Sequence, residues 1–306
     1  MRVAVTGLSG FIGRNLAEAA KQCGVEIFAI DRSDLIKATT QTGFSQVDRL
    51  RVSNKIKTCD AIIHLAGLAH RRKSSTDEFE CVNHHLTVNL AECAKSAGVN
   101  RFVYVSSVLV YGNNDGKHKI NTQTIPNPTE DYGRSKLNAE NGLQNLTINS
   151  KHFKVIILRP SLVVGRGARG NLATLRTAIS KGIPLPNIAD NKRNLMGVRN
   201  FVAAILQATK VPLEETSKIF PIADLTPVST SEIIEEISRG LGRLPRMFSM
   251  PKQLRGSIMK TSFLAKHIAP LFLDYEIDSA EAWNFLGIKP EITTKQELVA
   301  VGEGIN

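Results

Sequence analysis

The chain predicts an α/β fold, a doubly wound parallel sheet joined to a smaller lobe, and three observations carry that expectation. A short apolar strand opens directly into a glycine-rich turn and a helix, apolar runs then alternate with helix-length polar stretches, and past Gly165 the alternation stops.

Val3-Ala-Val5 reads as the first buried strand. The turn Gly7-Leu-Ser-Gly10-Phe-Ile-Gly13 follows, residues 11–23 carry helical periodicity, and Val25-Glu-Ile-Phe-Ala-Ile30 completes a βαβ unit. Further strands are expected at Ala61-Ile-Ile-His-Leu65, Phe102-Val-Tyr-Val105 and Val155-Ile-Ile-Leu158, with helices over 87–97 and 132–146 between them. Runs apolar throughout mark strands covered on both faces, as in parallel sheets. Past the loop Gly165-Arg-Gly-Ala-Arg-Gly170, a helix over 171–181 is expected, its first turn capped by Asn171. Ile219-Phe-Pro-Ile222 returns as a late sheet strand, and Ser229-Thr-Ser-Glu232 forms a capping box ahead of a helix over 233–241. The division is therefore 1–165 with return segments near 195–225 for the sheet domain, and 166–194 with 226–306 for an interwoven second lobe.

At 306 residues and 42% hydrophobic content the chain can bury a substantial core. With a strand at Arg2 and no apolar run near the roughly 20 residues of a membrane helix, a cytoplasmic enzyme is expected. Cys23, Cys59, Cys81 and Cys93 show no close pairing and read as reduced, buried thiols, so no metal is expected. The formal charge of +11 suits a nucleic acid or a positive field around a cleft for a diphosphate. Arg239, Arg243, Arg246, Lys252, Arg255, Lys260 and Lys266 lie in a stretch without a carboxylate. Residues 251–273 mix such charges with Leu254, Ile258, Phe263 and Leu271, a pattern for weak contact with an anionic inner membrane surface or for an ordinary amphipathic helix.

Glycines at 7, 10 and 13 permit a tight turn, close approach to a pyrophosphate and close packing of the helix, whose N-terminus adds amide donors. Asp31, eighteen residues after Gly13 at the end of the second strand, is placed to grip ribose hydroxyls. Its carboxylate would repel a 2′-phosphate, so NAD is preferred over NADP although Arg32 partly offsets that repulsion. Asp48 is a candidate for the adenine edge or a surface carboxylate. In Tyr132-Gly-Arg-Ser-Lys136, four positions on a helix put a phenol and an ammonium on one face. A phenol titrates near pH ~10, so acid/base work at neutral pH needs a neighbouring cation and a hydrogen-bond donor. Lys136 and Ser107, at the end of the fourth strand, are candidates for both.

These motifs resemble the extended short-chain dehydrogenase/reductases, the group that holds nucleotide-sugar epimerases, dehydratases and reductases on a Rossmann sheet. The resemblance rests on Thr6-Gly7-x-x-Gly10-Phe-Ile-Gly13, His64-Leu-Ala-Gly67, Val82-Asn83, Ser106-Ser107-Val-Leu-Val-Tyr111-Gly112, Tyr132-Gly-x-Ser-Lys136, Leu158-Arg-Pro160 and Leu286-Gly-Ile-Lys-Pro290. The order, and the 25-residue interval from Ser107 to Tyr132, are similar to those of UDP-galactose 4-epimerases. It implies that Ser107, Tyr132 and Lys136 are catalytic. Phe11 and Ile12 with the glycines, and Leu65, Ala66 and Gly67, would line the dinucleotide, and Lys136 would also reach its ribose. Ser106 either borders the nicotinamide or caps its strand, and Asn83 either positions the site floor or is solvated. Arg193, seven residues before Asn200, matches a diphosphate-binding arginine, whereas Lys192 and Arg199 read as solvated. Asn171 either touches the sugar or caps its helix, and Leu185 either rests against uracil or anchors a loop. His70 matches a pocket-mouth histidine of a shorter branch found in surface-polysaccharide synthesis, or is a surface residue.

Dehydratases of the group carry an Asp-Glu pair where this chain has Val108 and Leu109, so water elimination is not expected. Val164 replaces a frequent tyrosine and puts the glucose/galactose specificity in doubt. The resemblance therefore implies a 4-epimerase of a UDP-hexose or UDP-N-acetylhexosamine. The alternatives are a 4-ketoreductase of a UDP-4-keto-6-deoxy-N-acetylhexosamine, a sugar carried on a lipid diphosphate, and a non-catalytic dinucleotide sensor. A homodimer and no nucleic-acid partner are expected.

Overall fold

The computed structural model describes residues 1–31, 35, 44–69, 75–112, 118–148, 150, 152–249 and 273–304. Six strands form one parallel sheet: β1 (Arg2–Thr6), β2 (Glu26–Ile30), β3 (Ala61–His64), β4 (Arg101–Val105), β5 (Lys154–Pro160) and the late strand Ser217–Ile222. Their order is β2-β1-β3-β4-β5 followed by Ser217–Ile222.

Side chains alternate across a strand, so each apolar run feeds two cores. Val3, Val5, Ile63, Val103, Val105, Ile156 and Leu158 meet helices Phe11–Gln22 and Val198–Ala208 on one face. Ala4, Ile62, Phe102, Tyr104, Val155 and Ile157 meet helices Gln46–Ile56, Leu86–Ser96 and Asp131–Thr147 on the other. The doubly wound parallel sheet expected from the apolar runs is therefore present. The chain leaves β1 for β2 on one side and returns to β3 on the other, so the loops after β1 and β3 part at the sheet's carboxyl edge and open a crevice.

A third core, with Leu172, Leu175, Leu185, Ile233, Ile237 and Leu298, belongs to the smaller lobe. Helices Thr230–Gly240 and Thr294–Glu303 cross closely there because both carry glycine at the contact: a Cβ on Gly240 would stand 2.0 Å from the Val299 carbonyl. The Ser229 capping box forms as expected, with Ser229 Oγ accepting from the Glu232 amide at 3.1 Å. Helix Ala280–Leu286, by contrast, packs Ala282, Trp283 and Leu286 into the sheet domain's core, not the lobe's.

Two local expectations are corrected. Asn171 does not cap its helix: Gly170, at φ 65°, is the N-cap, and Asn171 is the first helical residue. Of the cysteines only Cys59 and Cys93 are buried, while Cys81 is half-buried and Cys23 is exposed at the end of helix Phe11–Gln22. The sequence also gave no hint of the π-turn Glu80–His85, which interrupts the helical segment between β3 and β4. No helix among the described residues is long and apolar enough to cross a membrane.

Candidate active site

The glycine turn after β1 is fixed by what surrounds it. Gly7 has φ +75°, and a Cβ there would lie 2.8 Å from the Ala66 amide nitrogen, because the loops after β1 and β3 touch. A Cβ on Gly13 would stand 2.4 Å from the Gly7 carbonyl oxygen, so the helix can start this close to the turn only with glycine. That helix has Gly10 as N-cap, with no side-chain cap and no acidic residue in its first turn. Its amide donors and positive dipole end are thus shaped for an anion. Asp31 follows β2 and is exposed, and the pairing of Thr6 with Ile30 brings it level with the turn.

Beneath the turn, His64 is fully buried, its Nδ1 2.6 Å from Thr6 Oγ1 and its Nε2 3.0 Å from Thr87 Oγ1. Burial first, and the Lys136 charge second, bring its pKa down to about 3. The ring is therefore neutral at physiological pH, and Thr6 Oγ1 accepts from the Ala66 amide at 3.2 Å to hold the second loop. The π-turn carries Asn83 into this floor, where its amide donates to Ser135 Oγ at 3.0 Å and to the Leu68 carbonyl at 3.1 Å. Asn83 is fully buried, which rules out the solvated alternative.

Ser107, Tyr132 and Lys136 line one cleft of about 400 Å³, together with Ile12, Asn171 and Arg193. Ser107 lies two residues past β4, as N-cap of the 3-10 turn Val108–Tyr111, and Tyr132 is in the first turn of helix Asp131–Thr147, so the loop after a strand and a helix N-terminus meet at the crevice. Burial pushes the Tyr132 phenol up to about 12, while its hydrogen bond with Ser107 pulls it the other way. Lys136 Nζ donates to the Val105 carbonyl at 2.9 Å and lies 4.7 Å over the Tyr104 ring. Burial brings this ammonium down to about 8, and the Glu140 carboxylate one turn further along opposes that shift. Even at about 8 the lysine is mostly a cation at pH 7. Glu140 is itself fully buried, paired with Arg159, which also donates to the Tyr111 hydroxyl at 2.7 Å.

A parallel sheet with a glycine cradle at its switch point and a Ser/Tyr/Lys group beside it agrees with the comparisons. A family model for NAD dependent epimerase/dehydratase matches residues 3–223. The chain belongs to the NAD dependent epimerase/dehydratase family. A UDP-glucose 4-epimerase of Vibrio cholerae is 29% identical over 315 residues, covering 96% of this chain and 92% of that protein. An N-acetyl-alpha-D-glucosaminyl-diphospho-ditrans,octacis-undecaprenol 4-epimerase of Escherichia coli O157:H7 is 25% identical over 249 residues, covering 80% and 74%. The solved structure of MoeE5 in complex with UDP-glucose and NAD matches with a TM-score of 0.76 at 25% identity, over 99% of this chain and 98% of that one.

As an epimerase/dehydratase family member of the extended short-chain dehydrogenase/reductase type, the protein is an NAD-dependent enzyme. The cradle fits that cofactor on its own evidence, since side chains at 7 and 13 would fill the space beside the turn. Gly7, Gly10, Phe11, Ile12 and Gly13 would hold the diphosphate, Asp31 the adenosine ribose, and Leu65, Ala66 and Gly67 the opposite wall. Gly67 is also close to the lysine: a Cβ there would stand 3.3 Å from Lys136 Nζ. Arg32 and His70 lie outside the described residues.

Other candidates divide between their expected alternatives. Asp48 is in the first turn of helix Gln46–Ile56, where its carboxylate accepts from Ser45 Oγ at 2.6 Å and pairs with Arg51 at 3.2 Å. Its carboxylate is thus engaged within the first turn of a helix whose N-cap is Ser45. Ser106 lines the cleft beside Ser107, while its hydroxyl donates to the buried Glu140. Leu185 is buried in the lobe's core and is not part of the cleft wall. Lys192 is exposed, whereas Arg199 pairs at 2.9 Å with the buried Glu297.

Arg193 is buried, lines the cleft, and has its guanidinium 5.9 Å from the Tyr275 ring centre. Burial brings it down to about 10, still fully cationic at neutral pH. Sequence reasoning missed Tyr275, which donates to the Val108 carbonyl at 2.9 Å and closes the cleft from the far end of the chain. It also missed Ser161, a cleft residue directly after β5 whose buried hydroxyl has no partner among the described groups. Such an orphaned hydroxyl fits a site completed by a bound polar group.

Proposed function

We propose that the protein is a nucleotide-sugar 4-epimerase acting on a UDP-hexose or UDP-N-acetylhexosamine through a transient 4-keto sugar. The observation that carries this reading is one cleft lined by Ser107, Tyr132 and Lys136 together with a buried arginine, Arg193. Arg193 binds the diphosphate, for which a planar guanidinium fork is suited. Ser107 hydrogen-bonds the C4 oxygen, and Tyr132 takes the C4 hydroxyl proton as the carbonyl forms. The Lys136 ammonium favours the phenolate that this requires, and Glu140 beneath it preserves that charge. NAD, when bound, supplies the hydride acceptor and donor. Once the ketosugar has turned over, the hydride would return to the opposite face of C4, and Tyr132 gives its proton back to the C4 oxygen. Val108 and Leu109 offer no group for water elimination.

Purified protein incubated with UDP-Glc or UDP-GlcNAc, without added reductant, should give a mixture of C4 epimers. If both sugars stay unchanged while a UDP-4-keto-6-deoxy-N-acetylhexosamine consumes NADH, the protein is a ketoreductase instead. The Escherichia coli relative's name makes a lipid diphosphate sugar the third arm of the assay.

A further inference from the structure

We propose that Glu80, His84 and His85 form a site for one divalent transition-metal ion, of which Zn²⁺ is the best match. The site rests on the π-turn and is independent of the catalytic reading. In a regular α-helix, at 3.6 residues per turn, His85 would point roughly 140° away from Glu80. A π-turn hydrogen-bonds five residues back, so the residues four and five positions on both flank the first, and Glu80–His85 is such a turn.

One ligand atom from each of the three residues lies within 4.8 Å of the others, and all three side chains are half-buried. His84 Nδ1 is 2.9 Å from the Glu80 carboxylate, and the two imidazole rings are centred 4.7 Å apart. Zinc takes histidine nitrogen and carboxylate oxygen at about 2.0–2.2 Å, so small side-chain rotations bring all three atoms onto one ion. Two imidazoles with one carboxylate favour zinc, nickel or cobalt over magnesium or calcium, which prefer oxygen.

The ligands are also held from behind. Asn138 Nδ2 donates to the second Glu80 oxygen at 2.8 Å, the kind of outer partner that orients a ligating carboxylate. His84 Nε2 faces helix Asp131–Thr147 at Gly142, where a Cβ would stand 3.7 Å from it and 2.5 Å from Val88. The ring would be in ordinary contact with a side chain at 142, and the room that glycine leaves there is for Val88. Because Asn83 on the same turn reaches Ser135 and Leu68, an ion here pins the segment that forms the floor of the cleft.

The test is equilibrium dialysis of the chelator-stripped full chain against ZnCl₂, with thermal melts alongside. One Zn²⁺ per chain and a raised Tm are expected. In His84→Gln/His85→Gln the affinity should fall by more than the roughly 10–100-fold that loss of an outer partner costs. Cys23→Ser, which removes the exposed thiol, should bind normally. Circular dichroism and NAD binding check that the double variant is folded; if it is not, Glu80→Gln, which keeps a carbonyl for Asn138, is used in its place. No bound zinc in the micromolar range, equal binding by the ligand variants, or loss of binding in Cys23→Ser would each overturn the proposal.

Discussion

At the cofactor end of the cleft the backbone makes the surface: Gly7 passes so close to the loop after β3, and Gly13 to the Gly7 carbonyl, that side chains there have no room. At the substrate end the surface is made of side chains, with Asn171, Arg193 and Tyr275 arriving from a helix and two loop segments of the second lobe. A backbone surface depends on a few glycines within one short turn and recognises what all dinucleotides share. A side-chain surface can be rebuilt one position at a time, and that is where a family with one cofactor diversifies its sugars.

Tyr132 stands where the two surfaces meet, and its variant should show the largest effect. Tyr132→Phe removes the proton carrier alone, so kcat should fall by about 10²–10⁴-fold while NAD and UDP-sugar affinities hold. Substantial residual turnover would move the acid/base role elsewhere. Gly13→Ala should do the reverse: with its Cβ 2.4 Å from the Gly7 carbonyl the turn must shift, and NAD affinity should drop by at least about 100-fold. UDP-sugar binding by calorimetry should survive. If Gly13→Ala binds both ligands normally, the cofactor is not held by this backbone.

The next effect is on stability and belongs to the cofactor side. His64 has a folded pKa of about 3 against an ordinary 6.5, so the unfolded chain binds the extra proton between those values. Stability should therefore be complete above pH ~6.5 and fall as pH drops towards 3, by on the order of a few kcal/mol. His64→Gln should flatten that limb in urea titrations at a series of pH values. An unchanged slope would assign the acid limb to other groups.

The same contrast explains what could be read in the sequence. The strands were legible because burial on both faces leaves continuous apolar runs such as Ala61-Ile-Ile, and the cradle because it is contiguous. For Asp48 the local partner was legible, since Ser45, three residues before it, carries the N-cap signal and donates to its carboxylate. Glu140 was readable too, one helical turn beyond Lys136. Tyr275 was not, since it lies 82 residues after Arg193 and only packing joins them. The π-turn has no sequence signature of its own.

On the substrate side, Arg193→Ala should raise KM for the UDP-sugar by about tenfold to 100-fold, the loss of one charge-assisted contact, and leave NAD binding intact. An unchanged KM would remove the diphosphate from this end of the cleft.

The smallest effect is expected at Asn171 and distinguishes a side-chain contact from a structural one. Gly170 is the helix N-cap and the Asn171 side chain makes no cap, so alanine at 171 takes nothing from the helix and has the better helical propensity. The melting temperature of Asn171→Ala should hold or rise slightly. Because residue 171 lines the cleft, KM should rise by a factor of a few, the value of about 0.5–1.5 kcal/mol for one neutral hydrogen bond. A lowered melting temperature with unchanged KM would mean that residue 171 is scaffold, and that specificity is set by other cleft residues such as Ser161, Arg193 and Tyr275.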